Sequence, residues 1–374
     1  MLVIVVASII WVGISAYAVF GSADFGAGMW DLVAGDEVRG REPRRLIESS
    51  IGPVWEANHV WLIFVFVFFW TAFPQPFVSI ATTLWIPLTL AAFGIIFRGA
   101  GFAFRKWADT TNRRRFYGAA FAGASLVTPF FLGAVVGAVA SGRVPLGNAA
   151  GDPWRSWLTP TSVLGGILAV TTAAFGAAVL LTHDAHRQGD AALTAYFRRR
   201  ATLSGLVTGA VALAGIAVLA ADAPDLFASL SAPVGAALLV ISALGGLSSL
   251  AALRSGRYDL ARPLAVVAIV SVLWGWGAGQ YPWALRPVAL ATDYAAGDET
   301  LWALVIVFIA AGFLAIPALL LLGHLVQRGH LDAAGPSRGD STDALMSRLA
   351  GGGGAGSAHS SSEAADRHLP KRPA

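Results

Sequence analysis

The stretch SIGPVWEANHVWLIFVF, residues 50–66, places an acid and an imidazole at the mouth of a strongly apolar run. Glu56 and His59 are three residues apart, which puts them on one face if the run is helical. No further acid occurs until Asp109. Upstream, ADFGAGM at 23–29 carries Asp24 at the end of another apolar run. Asp24 and Glu56 are the two acids that fall inside or at the very end of apolar segments; the other twenty fall in expected loops or in the tail. The chemistry such carboxylates offer is proton transfer. A helix N-terminus favours the ionised form of Glu56, while desolvation by Trp55, Trp61 and the following Phe residues favours the protonated form. A carboxylate balanced between the two takes up and releases protons near neutral pH. The plainer reading is that Glu56 caps its helix and pairs with an arginine.

Partners for these acids are few. Arg98 and Arg105 flank GAGF at the end of a third apolar run, where arginines commonly serve as interfacial anchors. Pairing with a carboxylate is the sharper option, and Arg98 is the expected counter-charge for Glu56. His59, when protonated, tunes Glu56 through its charge. Asp24 either passes the proton on or holds a water against Glu56. Pro53 suits a first helical position and Ser49 or Ser50 suits the cap before it, so a helix is expected to begin there. The two glycines of DFGAG permit close approach of another backbone. The chain contains no Cys, which excludes disulfides, thiolate catalysis and Cys-ligated iron–sulfur clusters. His59, His183, His186 and His324 fall near one side of the expected topology, and two of them could face each other across a haem. THDAHRQGD at 182–190 reads as a loop, however, so a haem site in this chain is the weaker reading.

These groups require elements that span a membrane. Of 374 residues, 56% are hydrophobic and 13% charged, against about 25% charged in soluble domains. Apolar runs near 20 residues recur, each long enough to cross a bilayer as a helix. An all-α polytopic membrane protein with nine transmembrane helices is expected, at roughly 2–22, 58–73, 78–97, 117–139, 161–182, 201–221, 234–253, 263–279 and 301–322. Residues 1–20 contain AYA at 16–18, yet no Lys or Arg precedes Arg39. They read as an uncleaved first helix rather than a signal peptide. PQP at 74–76 makes a tight turn, and Pro87, Pro129 and Pro317 lie inside segments.

Of 26 Lys and Arg, 17 fall in loops 23–57, 98–116, 183–200 and 254–262, and three (Arg143, Arg155, Arg286) in the alternating loops. That asymmetry places the N-terminus outside and the C-terminus in the cytoplasm. It also accounts for the net charge of +4 without invoking nucleic acid. Asp24 then lies roughly 33 Å along the first helix from Leu2, at the cytoplasmic edge of a core roughly 30 Å thick, and Glu56 starts the second helix at the same depth. Trp154 and Trp157 are expected as interfacial anchors in an external loop. Residues 1–323 form the membrane domain. The remainder, 324–374, carries GGGGAGSAHSSSEAAD at 351–366 and is expected to be a disordered cytoplasmic tail.

Together these stretches resemble subunit II of cytochrome bd-type quinol oxidases. ADFGAGM (23–29) resembles the family's GFDxGxGM element, and RRLIESSIGPVWEANHVWLI (44–63) its xRxxxxxSIxPxWDGNxVWLI block. TAFP (71–74) and FRGAGFAFR (97–105) resemble its AxxP turn and FRPxGFxxR element. The close match covers about residues 20–106; beyond it the likeness is mainly topological, with an external aromatic–Pro patch, QYPWALRP, at 280–287. The resemblance implies a haem-free chain without independent activity, beside a subunit I that carries haems b and d and the quinol-oxidising loop. Small single-helix subunits also fit, and a structural quinone in this chain stays open. It further implies help in bringing cytoplasmic protons to the oxygen-reducing site, with Glu56 at the position of the family's acid in WDGN and Asp24 at that of the FD element. The chain departs from the pattern at Glu56, Ala57, His59 and Gly99; Glu56 is one methylene longer than Asp, and His59 adds a titratable group where the family has Gln.

Two other classes fit the same features. A secondary transporter would also have proline-broken helices and a buried acid, but it would need polar groups near mid-membrane. A purely structural scaffold would use its carboxylates only as helix caps.

Overall fold

The computed structural model describes residues 1–36, 38–105 and 111–327; the side chains of 52–57, 102, 105, 111–115, 315–316, 318–320 and 322–327 are outside the described residues. The elements are, in order, α1 (Leu2–Leu32), α2 (Arg41–Ala72), α3 (Pro74–Thr83), α4 (Trp85–Arg105), α5 (Thr111–Ala140) and α6 (Pro160–Arg187). There follow α7 (Ala191–Asp222), α8 (Pro224–Ser231), α9 (Pro233–Arg254), α10 (Tyr258–Gln280), β1 (Trp283–Leu285), β2 (Ala289–Leu290) and α11 (Asp298–Gln327). The chain divides into two units, Met1–Phe308 and Ile309–Ala374. The second is described only as the remainder of α11, and the expected tail lies outside the described residues beyond Gln327.

Helix underlies each of the nine expected segments. Among the described residues six helices are long and apolar enough to cross a membrane: α1, α6, α7, α9, α10 and the Phe116–Ala140 part of α5. The bent pair α3–α4 makes a seventh, while the apolar part of α2, Asn58–Ala72, is shorter.

Three expectations about boundaries are corrected. The segment 78–97 is not one straight helix: Pro74–Thr83 and Trp85–Gly101 meet at 83° across Leu84. Pro87 has no N–H to give the Thr83 carbonyl, and its ring would collide with it, so the first helix stops there. Pro87 is instead accommodated in the first turn of α4. Second, no helix begins at Pro53. α2 starts at Arg41 and runs through Pro53, and the Ser49 hydroxyl donates to the Leu46 carbonyl rather than capping. Tertiary packing extends this helix: Leu46, Ile47 and Ile51 are buried with Ala27, Phe121, Leu181, Leu193 and Phe197. Third, His183 and His186 lie in the last turns of α6, not in a loop. The α6–α7 turn is three residues long. Gly189 takes φ +75°, its N–H donates to His186 O, and the Asp190 N–H donates to Ala185 O. This is the Schellman closure, in which glycine bears the left-handed position. The Asp190 carboxylate then accepts the Leu193 N–H and caps α7.

α1 carries the first of the motif blocks. It packs against α2, α5, α6 and α10. A Cβ on Gly26 would land on the Ala173 carbonyl of α6, and one on Gly28 on the Ser125 hydroxyl of α5. The DFGAG glycines are therefore where α1 meets two neighbours. At the end of the bundle that carries the basic turns, Arg44 Nε donates to Asp31 Oδ1 at 3.0 Å, and its other nitrogens donate to the Gly35 and Asp36 carbonyls. This closes the α1–α2 turn. At the opposite end, Asp222 accepts from Arg143 at 2.7 Å and from the Thr161 hydroxyl at 2.6 Å. QYPWALRP forms the β1–β2 hairpin, and Arg286 within it donates to the Asp225 and Gly279 carbonyls and the Ser229 hydroxyl. Trp157, expected at an interface, is instead buried against Phe131, with its Nε1 donating to Pro153 O; Trp154 remains exposed.

Candidate functional site

The chemistry-bearing residues converge where α1, α2, α4 and α5 meet. Asp24 is not at the end of α1, as its sequence position suggested; the helix continues eight residues further, to Leu32. Asp24 is fully buried, and so is Arg98, at 0% and 1% exposure. Arg98 Nη2 donates to Asp24 Oδ1 at 2.6 Å and to the Asp24 backbone carbonyl. The second carboxylate oxygen, Oδ2, accepts from Asn58 Nδ2 at 3.2 Å. The guanidinium lies over Phe121 at 4.5 Å and Phe25 at 5.2 Å. α1 supplies the acid, α4 the cation, α2 the amide, and α5 one of the aromatic faces.

A charge pair inside an apolar bundle survives only if its hydrogen bonds are made, because each ion forfeits several kcal/mol of hydration. Here the Asp24 carboxylate accepts at both oxygens. The surrounding polar atoms are less complete. Arg98 Nε and Nη1, Asn58 Oδ1, Thr128 Oγ1 and the Tyr17 hydroxyl are buried without a hydrogen-bond partner among the described residues. Thr128 lies beside Gly94, one turn from Arg98 on α4, and Asn58 Oδ1 beside Gly21, one turn from Asp24 on α1. An unpaired buried polar atom costs roughly 1–3 kcal/mol, so such a set is the environment in which buried water is retained.

The predicted residues fall as follows. Asp24 and Arg98 are joined directly, so the cation expected to balance Glu56 has Asp24 as its described partner. His59 is half-buried on α2 and takes part in an interaction there. Glu56 lies in the helical stretch of α2 and Arg105 at the end of α4, but both side chains are outside the described residues. It is Asn58, two residues on from Glu56, that α2 sets against Asp24. Asn58, Tyr17, Phe121 and Thr128 were not singled out from the sequence. Asn58 was the most accessible of them, standing inside the quoted block, whereas Tyr17 and Thr128 carry no local signal and join the site only through helix packing.

Two of the histidines weighed as haem ligands, His183 and His186, have described neighbours. His183 Nδ1 lies 3.1 Å from Asp184 Oδ1 and its Nε2 lies 3.2 Å from Asp259 Oδ1. His186 packs edge-on against Tyr258, and the His324 side chain is outside the described residues.

The family model described as cytochrome bd terminal oxidase subunit II matches residues 2–325. The chain belongs to this family. A subunit 2 of the cytochrome bd ubiquinol oxidase of Bacillus subtilis is 32% identical over 116 residues, covering 29% of this chain and 32% of the relative. Subunit 2 of the Escherichia coli K12 cytochrome bd-I ubiquinol oxidase is 28% identical over 126 residues, covering 34% of this chain and 32% of the relative. The matched stretch thus spans about a third of these curated relatives. A solved chain of the bd oxidase from Geobacillus thermodenitrificans is 28% identical, with a TM-score of 0.71 over 87% of this chain and 98% of that one. In this chain the Asp24–Arg98–Asn58 cluster is built from three of the four motif blocks that carried the resemblance: ADFGAGM, the WEAN block and FRGAGFAFR.

Proposed function

We propose that this chain is the haem-free second subunit of a cytochrome bd-type quinol oxidase in a bacterial cytoplasmic membrane, and that it helps bring cytoplasmic protons to the site where O2 is reduced to water. Its partner in this reading is the subunit that carries haems b and d and oxidises quinol; this chain has no activity alone. The observation that carries the reading is the fully buried Asp24–Arg98 pair with polar atoms around it that lack protein partners. Oxygen reduction consumes protons inside an apolar barrier, and a titratable group with ordered water is how they cross it.

The roles divide by geometry. Asp24 accepts two side-chain donors, so it serves as the fixed acceptor of the cluster. Arg98 neutralises it, and Asn58 ties α2 to both. Water bridging Asn58 Oδ1, Arg98 and Thr128 completes the cluster. Glu56, on the basic-end side of Asn58 along α2, exchanges the proton, with His59 one turn away adjusting it through charge. The basic end is then the cytoplasmic end.

The test is turnover of the purified complex. Glu56→Gln keeps the shape and removes the exchange, so quinol oxidation should fall at least about tenfold, equivalent to roughly 1.4 kcal/mol of added barrier. Haem content should stay normal, and Glu56→Asp should retain much more activity. Wild-type turnover of Glu56→Gln across pH 6–8 would leave the carboxylate no part in proton exchange and move proton entry elsewhere. Failure of any haem-bearing chain to co-purify would overturn the subunit reading itself.

A further inference from the structure

Away from the buried cluster, one face of α7 has a lengthwise polarity that no other part of the site uses. Ala195, Arg198, Arg199, Thr202, Leu203 and Leu206 line a surface cavity of about 570 Å³. Their spacing is three, four, seven, eight and eleven residues from Ala195, which is a single stripe of a helix. The stripe is cationic at its start and apolar after it, with Leu203 61%, Leu206 52% and, one further repeat along, Leu213 71% exposed. A second cavity, of about 500 Å³, adjoins the first at Ala195 and Arg198. Its other walls are His186 and Gly189 at the α6–α7 turn, Thr194, and Tyr258 of α10.

The arginines differ in their partners. Arg200, next in sequence, is stacked on Tyr196 and over Trp30. Arg198 and Arg199 are exposed and make no ion pair among the described residues; of the acids nearby, Asp184 and Asp259 face His183, and Asp190 accepts the Leu193 N–H. From Leu203 to Leu213 is about 15 Å of helix, half of a hydrocarbon core roughly 30 Å thick. The groove therefore has at its mouth two cations that make no ion pair among the described residues, and apolar walls at Leu203 and Leu206; the exposed Leu213 continues the same stripe to about the depth of one leaflet.

We propose that this groove binds one anionic phospholipid, with the phosphodiester held by Arg198 and Arg199 and an acyl chain laid along Leu203, Leu206 and Leu213. Charge complementarity selects the occupant. A zwitterionic lipid would leave the cationic mouth uncompensated, and basic pockets at helix ends recognise anionic headgroups in this way.

The experiment is native mass spectrometry of the detergent-purified complex, titrated with phosphatidylglycerol or with phosphatidylcholine. One phosphatidylglycerol should be retained in preference to phosphatidylcholine. Arg198→Gln/Arg199→Gln should lower that occupancy at least about tenfold, Arg198→Lys/Arg199→Lys should keep most of it, and Arg155→Gln at the other end should change nothing. Equal retention of both lipids, or undiminished phosphatidylglycerol in the double Gln variant, overturns the proposal. Displacement of the lipid by excess inorganic phosphate would assign the cations to a free anion and overturn it too. A photo-cross-linking residue at position 203 should capture lipid; capture of a polypeptide instead would make this face a subunit contact and not a lipid site.

Discussion

At the scale of the residue, Arg98 has two jobs that experiments can separate. It neutralises a carboxylate that would otherwise be charged in an apolar interior, and it takes part in the hydrogen-bonded cluster proposed for proton supply. Removing one member of a buried pair leaves an uncompensated charge and costs about 3–5 kcal/mol. Arg98→Met should therefore lower the detergent melting temperature and the membrane level of the complex sharply, and Asp24→Asn should do the same for the opposite charge. The double variant Asp24→Asn/Arg98→Met removes both charges and should recover most of that stability, because replacing a buried pair by neutral groups is often close to neutral. Turnover should not recover with it. If it does, Asp24 and Arg98 only hold helices together, and the proton route does not use them. That Arg98 matters was legible from its place in FRGAGF. Its choice of Asp24 was not, since 74 residues separate the two and only packing of α4 against the α1–α5 pair brings them together.

At the scale of the element, glycines fix how closely α1 is held. Gly26 faces backbone of α6, so even a methyl group there collides with the Ala173 carbonyl. Gly118, on α5, has nothing among the described residues within 4 Å of the same added atom. Gly26→Ala should lower the melting temperature of the complex and reduce its yield in membranes. Gly118→Ala should be neutral or raise stability by about 0.5–1 kcal/mol, because alanine loses less backbone freedom than glycine in a helix. Equal effects of the two substitutions would mean that the α1–α6 approach does not limit stability. The extended start of α2 belongs at this scale as well. The sequence around Ser49, Ser50 and Pro53 has the composition of a helix start, yet burial of Leu46, Ile47 and Ile51 carries the helix through it. Local signals of about 1 kcal/mol yield to a core that buries several aliphatic side chains at about 1.5–3 kcal/mol each.

At the scale of the whole molecule, orientation and the tail are the testable features. The absence of native Cys makes single-cysteine labelling clean. Arg155→Cys, at the end with few basic residues, should react with a membrane-impermeant maleimide in intact cells. Gln188→Cys, in the exposed α6–α7 turn, should react only after the membrane is permeabilised. The reverse pattern would invert the positive-inside assignment and, with it, the side from which protons enter. Truncation after Gly329 should leave membrane level and oxidase activity unchanged, since Gly- and Ser-rich chain has little apolar surface to bury. A large loss of either would show that the tail docks on a partner.

The sequence by itself determined the class of protein, the apolar stretches that helices underlie and the blocks of residues worth testing. Apolar runs of bilayer length leave an all-helical membrane protein as the solution that satisfies the backbone, and the alternation of basic loops follows from the same chain. The motif blocks around Asp24, Glu56 and Arg98 were equally readable. Only the tertiary structure decided how those blocks meet: Asp24 inside α1 rather than at its end, Arg98 on Asp24, Asn58 as the reach of α2, and Tyr17 and Thr128 nearby. The physical reason is range. Periodicity, capping and hydropathy act over a few turns of one helix, whereas the pairing of buried charges is set by contacts between helices far apart in sequence, where the cost of an unpaired ion selects the one packing that satisfies it.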